Sequence, residues 1–113
     1  MAEKRDIKRH RKRLTVRFGI DAPNRLAYSD EISAHGIFIK TSNIVPPGTS
    51  IKIELTLPNN DLVIFEGMVR WAKRIHPKMI HLTNKCGMGV EITKFIIGET
   101  SYQQLIAELY ERM

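Results

Sequence analysis

The sequence predicts a small, mostly β domain, either a sandwich or a closed barrel, finished by one C-terminal α-helix. Three observations carry this. Short runs of alternating apolar and polar residues recur between turn signals from Leu14 to Thr93. After Glu99 the apolar spacing changes from period two to helical period. A chain of 113 residues, 42% of them hydrophobic, fits one domain whose core suffices without disulfides.

Residues 1–13 read as a flexible basic segment, 14–98 as the β domain and 99–113 as the helix. In order, Leu14, Val16 and Phe18 alternate with Thr15 and Arg17, the pattern of a half-buried strand. Asp21-Ala22-Pro23-Asn24 is turn chemistry. A second strand is expected within Arg25–Ser33, with Leu26 and Tyr28 on one face, and a third over Gly36–Thr41, rich in β-branched and aromatic residues. Pro46-Pro47-Gly48 is a loop. Ile51, Ile53, Leu55 and Leu57 then point one way, and Lys52, Glu54 and Thr56 the other. Pro58-Asn59-Asn60-Asp61 closes a hairpin onto a long strand, Leu62–Lys73, in which Gly67 marks a bulge or bend. His76-Pro77 ends it, and Met79–Leu82 and Gly87–Thr93 complete the β run. Tyr102, Leu105, Ile106, Leu109, Tyr110 and Met113 share one helix face, and Thr100 with Gln103 fits a capping box.

Charge is concentrated. The first 17 residues hold eight Lys and Arg against Glu3 and Asp6, a surplus of +6 equal to that of the whole chain. Such a field attracts nucleic acid, an acidic membrane face or a small phosphorylated ligand. No apolar run approaches the roughly 20 residues that span a bilayer, so membrane insertion is not expected. The single Cys86 forms no internal bridge, and no signal peptide is visible; the reading is a cytoplasmic protein. Asp30, Ser33 and His35 are neighbours in sequence, which suits a turn better than a catalytic triad, and no enzyme is expected. His76, His81 and Cys86 lack metal-site spacing.

Two short motifs remain. One is Lys8-Arg9 followed by Arg13; the other is Glu31-Ile32-Ser33-Ala34-His35-Gly36. Together they resemble the signatures of the PilZ domain family, an Arg-Arg-x-x-x-Arg run before the first strand and an Asp/Asn-x-Ser-x-x-Gly turn between the second and third. Pro47-Gly48-Thr49, Gly67-Met68-Val69-Arg70-Trp71 and Gly87-Met88-Gly89-Val90-Glu91 look like later landmarks of the same family. The resemblance implies a six-stranded antiparallel, split β-barrel that binds cyclic di-GMP as its ligand, with no further cofactor. It implies Lys8, Arg9, Arg13, Glu31, Ser33 and Gly36 as ligand-binding residues, with Lys40 and Trp71 as secondary positions.

The chemistry suits that ligand. Guanidinium forks grip phosphate bidentately, stack on purines and reach the guanine O6/N7 edge. A carboxylate accepts hydrogen bonds from guanine N–H groups. The Ser33 hydroxyl can hold the turn or a phosphate, and Gly36 permits a positive φ or a close approach. Lys8 and Glu31 depart from the pattern: lysine lacks the fork, and glutamate carries one more methylene than aspartate. The expected mechanism is a basic segment that orders over the ligand and signals to a protein effector, in a monomer or homodimer with no DNA partner. Two other readings are an RNA- or single-strand-binding barrel, against which Phe38, Phe65 and Trp71 are scattered over different strands, and a ligand-independent adaptor.

Overall fold

Alternation along the chain becomes a ring of strands. The computed structural model describes residues 9–74 and 86–111. The elements are β1 (His10–Arg11), β2 (Thr15–Gly19), β3 (Arg25–Ile32), β4 (Gly36–Lys40), β5 (Ser50–Thr56), β6 (Leu62–Lys73), β7 (Gly87–Ile97) and α1 (Glu99–Glu111). The sheet order is β1-β3-β2-β5-β6-β7-β4, and a further β3–β4 pairing closes the ring. All ladders are antiparallel. The fold is therefore the expected six-stranded barrel with a C-terminal helix, plus the short β1 laid on β3.

The core is built by every second residue. Val16 and Phe18 on β2, Ile53 and Leu55 on β5, and Val63, Phe65 and Val69 on β6 are wholly buried. Each contributes about 1.5–3 kcal/mol through burial. The β5–β6 hairpin stays in register from Ser50↔Met68 to Thr56↔Leu62. Its loop places Asn60 at φ 72°, a left-handed conformation that asparagine tolerates. The β6–β7 ladder shifts register three times, at Ile64/Phe65, Glu66/Gly67 and Val69/Trp71. The second shift is the bulge expected at Gly67.

Several expectations are corrected. Residues 10–13 do not hang free: His10 and Arg11 pair with Ile32 and Glu31, and the Lys12 amide donates to the Asp30 carbonyl at 3.1 Å. Leu26 and Tyr28 do share a face, but it is the solvent face. β7 continues past Thr93 to Ile97. The Thr100–Gln103 capping box does not form, because the helix has already begun at Glu99: the Tyr102 amide donates to the Gly98 carbonyl, and Gln103 donates to the Glu99 carboxylate at 3.1 Å. The buried face of α1 is Tyr102, Leu105, Ile106 and Leu109, whereas Tyr110 lies at its exposed margin. Lys8, the His76-Pro77 break, the Met79–Leu82 strand and Met113 fall outside the described residues. Among the described residues, no helix is long and apolar enough to cross a membrane.

Candidate functional site

The β3–β4 connection sets the site. The Ser33 amide donates to the Gly36 carbonyl at 2.9 Å, closing a tight turn. The Ser33 hydroxyl, nearly buried, serves the same turn: it donates to the Gly36 carbonyl and accepts from the His35 amide, each at 3.4 Å. Of the two uses expected for it, holding the turn is the one these contacts display. Gly36 is needed for close approach rather than for φ, since a Cβ there would stand 2.7 Å from the Val90 carbonyl oxygen. From α1, Tyr102 donates its hydroxyl to the Ser33 carbonyl at 2.6 Å.

Beside this turn opens a cleft of roughly 310 Å³, lined by Arg9, Glu31, Ser33, His35, Gly36 and Phe38 on one side and Arg70, Trp71, Gly89 and Glu91 on the other. Trp71 is 44% exposed although Val69, two positions earlier, is wholly buried. The register shift between them re-aims the indole outward. The ring stacks on Phe38, with centroids 5.2 Å apart and planes 15° from parallel. Gly89 makes the space, because a Cβ there would run into the indole nitrogen. The result is a flat aromatic shelf facing solvent. Behind it, the Arg70 Nε donates to the Glu91 carboxylate at 2.6 Å, so the cleft wall holds a carboxylate–guanidinium pair. Arg9 supplies a further guanidinium.

A buried hydroxyl adds to the β1–β3 pairing in holding residues 12–14. Ser29, 2% exposed, donates to the Lys12 carbonyl at 2.5 Å and accepts from the Leu14 amide at 2.8 Å. It staples the residues between β1 and β2 onto β3. Sequence reasoning missed Ser29, and the one signal for it was a hydroxyl at a core-facing position of a strand.

The structure gathers some predicted residues and separates others. Arg9, Glu31, Ser33, Gly36 and Trp71 meet at the cleft. Arg13 does not line it; its guanidinium lies 4.2 Å above the Tyr28 ring. Lys40 does not line it either, and stands across the β3–β4 ladder from Tyr28. Asp30, adjacent to Glu31, also stays outside the cleft wall and pairs with Arg11 at 3.4 Å. His35, Arg70 and Glu91 line the cleft but were not predicted.

A closed barrel with an arginine-bearing leader against a serine turn defines a class of small binding domain. The PilZ domain family model matches residues 3–111, and the chain belongs to that family. Among solved structures, that of the Bacillus subtilis inhibitor of motility (MotI/DgrA) is similar, with a TM-score of 0.74 at 23% identity. The match covers 96% of this chain and 50% of that one, so this chain spans about half the length of the other. A search of curated proteins returned no match.

Proposed function

We propose that this protein is a non-enzymatic cyclic di-GMP receptor that passes ligand occupancy to an effector protein. The observation that carries the reading is the convergence of Arg9, from the leader, with Glu31, Ser33 and Gly36, from the turn, on one cleft that also holds a half-exposed tryptophan. Each group has a use. Arg9 is a fork for a phosphate or a guanine edge, Glu31 an acceptor for guanine N–H groups, and the Trp71 face a platform for a purine. Base stacking on such a ring is worth about 1–3 kcal/mol.

Arg13 enters by moving. An exposed cation–π contact such as that with Tyr28 is worth about 0.5–1 kcal/mol. A charge-assisted hydrogen bond to phosphate is worth roughly 1.5–3 kcal/mol. Transfer of Arg13 from Tyr28 to the ligand is therefore favourable as long as the shift of backbone around it stays small. Lys8 adds charge beside Arg9. The refolded leader is the surface that an effector would read.

Calorimetric titration of cyclic di-GMP into wild type, Arg9→Ala and Arg13→Ala tests this, with a short RNA titrated at two salt concentrations alongside. Stoichiometric dinucleotide binding that weakens in both variants is expected. Equal heats in all three proteins, or salt-sensitive RNA binding alone, would reject the reading.

A further inference from the structure

Among the described residues the largest wholly buried side chain is Tyr102, on α1, and it ends in a polar group. Its hydroxyl donates to the Ser33 carbonyl at 2.6 Å and lies 3.4 Å from that of Gly36, the two residues that bracket the ligand turn. The ring is held against Phe95 and Phe65, with centroids 5.7 and 6.5 Å away. Those two rings belong to β7 and β6, so the hydroxyl is located by the core and the turn is located by the hydroxyl. Burial drives the phenol pKa far above its ordinary range, so the group stays a donor at every working pH.

The other end of α1 reaches the residue that follows Arg9 in the chain. Tyr110 meets His10 of β1 edge to face, with centroids 5.2 Å apart and planes at 70°. One helix therefore contacts both the Ser33–Gly36 turn and the segment that carries Arg9.

We propose that Tyr102 is a positioning residue for the Ser33–Gly36 turn, and that its hydroxyl makes α1 the element whose order reports ligand occupancy. The proposal rests on the cyclic di-GMP reading above and adds to it the direction in which the signal travels. A ligand that fixes the turn favours the state in which the Tyr102 hydrogen bond is formed, and coupling of this kind is reciprocal: whatever holds α1 in place tightens ligand binding by the same factor.

The test is Tyr102→Phe in the full chain, which keeps the ring and removes the donor. Cyclic di-GMP affinity is read by calorimetry, and amide hydrogen exchange is followed in residues 33–37 and 99–111 with and without ligand. Affinity is expected to fall about tenfold, in line with a lost hydrogen bond that leaves a buried carbonyl unpaired. In wild type, ligand should slow exchange in α1; in saturated Tyr102→Phe, it should slow the turn and leave α1 unchanged. A variant with wild-type affinity and a wild-type helix response would overturn the proposal while leaving the receptor reading intact. If wild type itself does not bind cyclic di-GMP, the receptor reading and the ligand coupling both fail. The ligand-free exchange then decides the positioning role alone: faster exchange of residues 33–37 in the variant upholds it, and equal exchange overturns it.

Discussion

The wall formed by β5 with residues 62–68 of β6, and the wall formed by β3, β4, β7 and residues 69–73 of β6, belong to one barrel but follow different rules. In the first, pairing is unbroken and alternate side chains are sealed in the core. In the second, β3 slips register against β4 between Ser29 and Glu31, and β7 slips repeatedly against β6. The core cluster is apolar, yet the two buried polar residues among those described, Ser29 and Ser33, both belong to the second wall. So do Gly36 and Gly89, which exist to let backbone or an indole come close. Regular alternation makes a stable wall with nothing to offer a ligand. Each interruption turns one side chain out of the pattern, and those side chains form the cleft.

The comparison can be broken at either wall. Phe65→Ala should cost most, about 3–5 kcal/mol by denaturant unfolding, because it empties the regular wall and removes a ring that supports Tyr102. A smaller loss than that of any cleft-wall variant would contradict the division of labour. Gly36→Ala comes next, at about 2–3 kcal/mol, since the opposing Val90 carbonyl cannot yield without disturbing the β4–β7 ladder. Ser29→Ala should cost about 1–2 kcal/mol and chiefly free the leader, seen as faster amide exchange at residues 10–14 with little change in β5 and β6. Arg70→Ala should alter the melting temperature least, by the equivalent of about 0–1 kcal/mol, because its pair with Glu91 is exposed on both sides. A large loss there would mean that the cleft wall bears more of the stability than its irregular pairing suggests.

The regular wall was fully legible from sequence, because period two over Ile51–Leu57 leaves no other reading. The irregular wall was legible only through its motifs. Glu31, Ser33 and Gly36 were found as a short pattern, but Arg70 and Glu91 were legible only as members of strand landmarks, and their place on the cleft wall needed the β6–β7 pairing. β1 escaped detection because two residues, His10 and Arg11, are too few to show a period. Their charge suggested a free segment, whereas pairing with β3 and the buried Ser29 hydroxyl hold residues 10–14 in place. Trp71 was expected as a secondary site position from the family resemblance; strand parity with the buried Val69 would have turned it inward, and the register shift between them accounts for its exposure. Arg13 and Lys40 show a different limit: a family motif nominates residues by position but does not say where their side chains rest.

Ring closure also decides when the cleft comes into being. β5 and β6 are neighbours in sequence and can zip locally, whereas β4 must wait for β7, and the turn at Ser33 for a tyrosine 69 residues further on. Nonlocal pairing of this kind is slow, since loop-closure entropy is spent before any contact repays it. The pocket is thus expected to be among the last features to mature as the chain folds, so that any ligand bound there would select finished molecules over half-assembled ones.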